Sequence, residues 1–145
     1  DSVDPFLAYK NKFTIVLGLT SNAGSQNFQQ QKLANGQFLY ESVLEQVSSW
    51  GTPEQMMFVV GATKASDLES IRKIIPNHFL LVPGVGAQGG SLADVTKFGI
   101  NDSVGLLVNA SRAVIFASNG SDFAEKAAIA AHQYANEMKT LLTAQ

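Results

Sequence analysis

The chain has 145 residues, is 46% hydrophobic and carries a formal net charge of −2, enough for one ordinary domain with a core. It has no basic block and no aromatic–basic interleaving, so neither a nucleic-acid nor a membrane-surface partner is expected. It lacks cysteine, and its two histidines, His78 and His132, stand far apart, which excludes disulfides and argues against a metal site.

The opening, Asp1-Ser2-Val3-Asp4-Pro5-Phe6, has no methionine and no periodic lead-in, and reads like the middle of something longer. No signal-peptide pattern or long apolar run is evident, and a cytoplasmic protein is the default expectation. The first strand is predicted at 13–19, and about fifteen polar residues follow before a helix at 37–50. That helix carries Leu39, Val43, Val47 and Trp50 at helical spacing. A loop this long in a compact α/β domain is more often functional than idle. The second strand is predicted at 56–60. Ser66-Asp67-Leu68-Glu69 then has the form of a capping box, opening a helix with Leu68, Ile71 and Ile75 on one face.

A third strand is predicted at 79–82, and Ser91 opens a shorter helix with Leu92, Val95 and Phe98. The fourth strand is predicted at 104–108. The last helix, about 122–142, bears an apolar stripe that includes Ala127, Ala131, Tyr134, Ala135, Met138 and Leu142 and suits close packing on a sheet. The strands are nearly continuous apolar runs, the habit of parallel strands covered on both faces. Four βα units make half of an eight-stranded barrel or a small open sheet. No linker composition marks an internal boundary, so residues 1–145 are read as one unit.

Chemistry concentrates at strand ends. Val82-Pro83-Gly84-Val85-Gly86-Ala87-Gln88-Gly89-Gly90 joins a strand to a helix start. Its glycines would let backbone N–H groups approach an anion, although a plain tight turn would use glycine too. Arg112 follows the next strand in Asn109-Ala110-Ser111-Arg112, where a guanidinium can grip a phosphate bidentately. Arg72, the other arginine, has a lysine beside it on a helix and is expected to face solvent. Thr20-Ser21-Asn22-Ala23-Gly24-Ser25 could read the polar edge of a base, but these residues also form turns, and chemistry alone favours the turn. Asp67, Asp94 and Asp122 fall at helix starts, where capping explains them. Lys64, after the second strand, is the one lysine placed to face a site.

Taken in order, Thr20-Ser21-Asn22-x-Gly24-Ser25, then Phe58-Val59-Val60-Gly61-Ala62-Thr63, then the 82–90 glycine segment, then Asn109-x-Ser111-Arg112 closely resemble the orotidine 5′-phosphate decarboxylase family. The opening Asp1-Ser2-x-x-Pro5-Phe6 resembles the stretch after that family's fourth strand. The resemblance covers essentially the whole chain. It implies an α/β fold, the C-terminal half (strands five to eight) of a TIM (β/α)8 barrel. It also implies conversion of orotidine 5′-phosphate to UMP in pyrimidine synthesis, without cofactor or metal.

By that resemblance Gln88 and Arg112 hold the phosphate, Ser21 hydrogen-bonds the pyrimidine, and Pro83 lines the base pocket; the pairing of the glycine-rich turn with Arg112 adds Gly90 to the same anion site. The family's catalytic Asp and Lys array belongs to the first four strands, and no Asp-x-Lys-x-x-Asp motif occurs in this chain. No catalytic residue is therefore assigned here. The expected partners are the nucleotide, the N-terminal half of the barrel and a second copy in a homodimer. Three departures accompany the resemblance: Ala23 for a proline, Ser111 for a glycine, and Leu19 where a basic rim residue is common.

Overall fold

The computed structural model describes residues 1–61, 65–86 and 89–144. Helix α1 (Asp4–Leu7) leads into β1 (Thr14–Leu19), α2 (Ser25–Phe28), α3 (Leu39–Ser48), β2 (Met56–Val60) and α4 (Ala65–Ile74). Then come β3 (Phe79–Pro83), α5 (Leu92–Gly99), β4 (Leu106–Asn109), α6 (Arg112–Ile115) and α7 (Phe123–Thr143). All pairings are parallel, and the sheet order is β1-β2-β3-β4. A doubly wound sheet reverses its strand order and puts helices on both faces. Here the order is consecutive and the core lies on one face, the arrangement of a barrel segment.

Strand alternation sorts the side chains. Met56, Phe58, Val60, Leu80 and Val82 are fully buried in one cluster with Leu44, Leu68, Ile71 and Val95 of the helices. The opposite face carries Ile15, Leu17, Val59, Leu81 and Leu107, with Leu17 52% and Leu107 50% exposed. Val16 and Val60 thus belong to the helix side, Leu81 and Leu107 to the open side. The open face is apolar, as a barrel interior requires.

Several elements depart from the sequence reading. The buried face of α3 is Tyr40, Leu44 and Val47, while Leu39 and Trp50 are exposed. The helix is shorter than its apolar pattern, and its crossing selects a neighbouring stripe. The polar loop beyond β1 contains α2 and a Lys32–Phe38 antiparallel bridge. Its Gln31 and Gln29 carbonyls accept from Leu39 and Tyr40 N–H groups at 2.9 Å, satisfying donors that open α3. Ser66 lies inside the first turn of α4 and does not cap it. Ser91 does cap α5, accepting from the Asp94 N–H at 3.2 Å. Asp122 precedes α7 without capping it; its carboxylate accepts from the Ser118 hydroxyl at 2.6 Å.

The fourth strand starts at Leu106, later than its apolar run, because Val104 and Gly105 both take positive φ in a turn. Helix α7 buries no residue completely; it packs on α5 and α6, with Tyr134, Met138 and Leu141 reaching the core. Its expected alanine stripe, at Ala131 and Ala135, is exposed. No helix among the described residues is long and apolar enough to cross a membrane.

Arg72 overturns the expectation of a solvent-facing side chain. Its guanidinium donates to the carbonyls of Gly99 at 2.6 Å, His78 at 2.6 Å, Gly105 at 2.7 Å and Ile75 at 3.3 Å. One side chain thereby ties α4, the end of α5 and the approaches to β3 and β4. Burial lowers its pKa to about 10, which leaves it charged at neutral pH. Arg72→Met should cost about 3 kcal/mol in urea unfolding, because the carbonyls lose a charged donor. Lysine at this position should restore little, since an ammonium lacks the planar fork.

Beside it, His78 is buried edge-on to Phe58, at 5.4 Å between ring centroids, with neither ring nitrogen hydrogen-bonded. Burial chiefly, and then the Arg72 charge, lower its pKa, with Glu54 opposing weakly. The folded state therefore favours the neutral ring, and the unfolded chain binds more protons as pH falls. His78 should contribute no loss of stability above its ordinary value of 6.5 and a growing loss below it. Urea unfolding between about pH 7.5 and 5.5, compared with His78→Phe, should show the slope flatten in the variant.

Candidate functional site

The chemistry-bearing loops all leave the C-terminal edge of the sheet. At the β1 end, the register slips between Leu17 and Leu19, so Gly18 forms a bulge. A Cβ on Gly18 would stand 3.0 Å from the Leu44 side chain and 3.2 Å from the Val59 carbonyl, so only glycine fits without displacement. The bulge turns Leu19 into the core, at 4% exposure. Leu19, read from sequence as a rim position, is therefore a core residue and has no bearing on rim charge.

Beyond the bulge, the Thr20 N–H and hydroxyl both donate to the Gln29 side-chain carbonyl, at 2.8 and 3.1 Å. This pins the loop and sets Ser21 against Gly61 at the end of β2. A Cβ on Gly61 would stand 2.8 Å from Ser21 N and Cβ and 2.9 Å from its Oγ. Ser21, Asn22, Gln26 and Asp67 line a small cavity at this edge. The nearby Tyr40 phenol is pushed up to about 12 by burial and by the carboxylates of Glu41 and Asp67, so it stays protonated. Gly61→Ala should force the Ser21 loop outward, costing about 1–3 kcal/mol. Faster amide exchange at Gly61, whose N–H donates to Leu19 O at 2.8 Å, would report it.

At the other edge, Pro83 ends β3, half-buried, with Asn109 of β4 as its register partner. Gly84, Gly86 and Gly89 all take positive φ, the backbone state that glycine alone adopts freely. The Gly86 N–H donates to Gly90 O and the Gly89 N–H to Gly86 O, both at 2.9 Å, while Val85 bridges to Gly90. Gly90 is buried and leads directly to Ser91 and the N-terminus of α5.

In the next loop, the Ser111 hydroxyl donates to the Asn109 side-chain oxygen at 3.2 Å, and Arg112 opens α6 with its side chain exposed. Ala113 lies beside the glycine turn: its Cβ would be 3.8 Å from a Cβ built on Gly86. The glycine turn and the Arg112 loop are thus neighbours, while Ser21 stands at the far edge of the sheet. Gln88 and Lys64 lie outside the described residues.

Sequence reasoning assigned no role to Gly61 or Gln29, and it placed Tyr134 only on an apolar stripe. A glycine directly after an all-apolar strand was the available signal for Gly61. For Gln29 and Tyr134 none exists, because their contacts are long-range. Among the described residues no group of three or more His, Asp or Glu side chains is placed to hold a metal ion.

No protein-family model matches the chain. Individual proteins match it along nearly its whole length. It is 55% identical to the orotidine 5′-phosphate decarboxylase of Flavobacterium johnsoniae over 142 residues, 98% of this chain and 52% of that protein. It is 53% identical to that of Porphyromonas gingivalis, covering 100% of this chain and 52% of that protein. Among solved structures, Leishmania donovani UMP synthase superposes with a TM-score of 0.81 at 35% identity, covering 97% of this chain and 30% of that one. Leishmania donovani OMP decarboxylase gives 0.76 at 32% identity, covering 97% and 53%. The chain spans about half the length of the curated relatives it matches.

Proposed function

We propose that this chain is the phosphate-gripping and base-contacting half of an orotidine 5′-phosphate decarboxylase, one (β/α)8-barrel domain without a boundary inside residues 1–145. The observation that carries the reading is the match along 98% of the chain, at 55% identity, to a protein of that name. The nearness of the glycine turn to Ala113, the neighbour of Arg112, supports it independently.

In this reading Gln88, the Gly90 backbone and Arg112 take the phosphate, Ser21 takes the polar edge of the pyrimidine, and Pro83 lines the space between. Three strand spacings of about 4.8 Å separate the outer strands, so the site is suited to an extended ligand with a ring at one end and an anion at the other. Phosphate and base contacts draw the loops over the ligand, and binding energy remote from C6 stabilises the carbanion-like transition state. The proton donor and the carboxylates around C6 belong to the preceding half. The assembled enzyme is proposed to work in the cytoplasm, as a homodimer.

A second reading applies to the chain by itself: a phosphate-binding module without turnover, favoured by the lack of an Asp-x-Lys-x-x-Asp motif. One experiment separates them. The chain replaces its matched segment in the Flavobacterium johnsoniae relative, completing a barrel. Release of carbon dioxide from orotidine 5′-phosphate is expected. A folded barrel that binds UMP without turnover would leave only the module.

A further inference from the structure

Tyr134 lies within α7, is half-buried and packs on the core. Its hydroxyl sits directly over Gly86, so that a Cβ built on that glycine would overlap it. The same Cβ would meet Ala113, the neighbour of Arg112, at 3.8 Å. Three segments distant in sequence therefore converge at one point: the glycine turn, the first turn of α6 and the last helix.

Gly86 is also where the turn's own hydrogen bonds meet, since its N–H donates to Gly90 and its carbonyl accepts from Gly89. With φ at +76° and no side chain, it can move unless something blocks it. A rigid aromatic ring carried by a long helix is such a block. We infer that Tyr134 is a positioning residue that fixes the glycine turn against the Arg112 loop and so sets affinity for the phosphate end of the ligand. This rests on the phosphate reading above. Tyr134 acts by volume: it keeps the turn in its binding shape before the ligand arrives, and an anion then binds without a further ordering cost.

The test measures UMP and uridine affinity by calorimetry on the completed barrel. Tyr134→Ala should weaken UMP about tenfold and uridine less than about twofold, with Tyr134→Phe between it and the parent, since phenylalanine keeps the ring but loses the hydroxyl over Gly86. Gly86→Ala carries backbone strain in any background, but it meets the hydroxyl only when Tyr134 is present. Its effect on UMP affinity should therefore be about tenfold smaller beside Tyr134→Ala than alone. A purely structural role would lower both affinities alike, and that result, or additivity in the cycle, would overturn the inference. Arg112→Ala is the control. If it weakens UMP selectively while the cycle is additive, Tyr134 alone loses its role. If it fails to separate UMP from uridine, the phosphate reading falls and this inference with it.

Discussion

Arg112→Ala in the completed barrel should lower kcat/KM toward orotidine 5′-phosphate by about 3–4 kcal/mol, roughly two to three orders of magnitude. Arg112 is exposed at the first position of α6, next to Ala113, which lies beside the glycine turn. A phosphate there would gain paired charge-assisted hydrogen bonds that no neighbouring side chain can replace, since Ser111 and Asn109 are neutral. The effect should fall mainly on the phosphorylated substrate, with orotidine itself reacting almost as slowly as before. Steady-state kinetics with both substrates checks this. Equal losses for the two would assign Arg112 a structural role.

The chain produced alone should neither decarboxylate orotidine 5′-phosphate nor behave as a well-folded monomer. Among the described residues, its sheet leaves the outer sides of β1 and β4 unpaired, and the face opposite the helices carries exposed aliphatic side chains such as Ile15, Leu17 and Leu107. An apolar face between two open edges invites self-association. Activity should fail for a separate reason, because no Asp-x-Lys-x-x-Asp motif occurs in the chain. Sedimentation velocity and a decarboxylation assay test both halves of the statement. A monomer that unfolds cooperatively and turns over substrate above background would remove the half-barrel reading.

Strand positions were legible because buried parallel strands are nearly continuous apolar runs, and β2 matched its run to the residue. The fourth strand was misjudged at its start, since Val104 is β-branched and apolar but sits in a left-handed turn. Helix faces were less secure: Leu68 and Ile71 of α4, and Ile75 just after it, are buried as the spacing predicts, whereas α3 packs its predicted Val43 and Val47 but buries Tyr40 and Leu44 in place of Leu39 and Trp50. Pattern supplies a period, while phase comes from the element packed against it. The ordered glycine and arginine loops were visible as motifs. The partners that hold them, Gln29 on Thr20 and Tyr134 on Gly86, were not, because a contact across the chain leaves no local trace. Arg72 failed for the same reason: three of its four carbonyl partners lie in other segments.

The position of Arg72 has an evolutionary corollary. Its carbonyl partners Gly99, His78 and Gly105 all precede β3 or β4 in the chain, at the end of the sheet away from the ligand loops. Much of what anchors the strands is thus concentrated at one pole, and the loops proposed to select the ligand leave the other. Loop sequences at the C-terminal edge can therefore drift, lengthen or be exchanged without loosening that anchor. Under the proposed function, a lineage that altered its ligand loops would inherit the same fastening underneath.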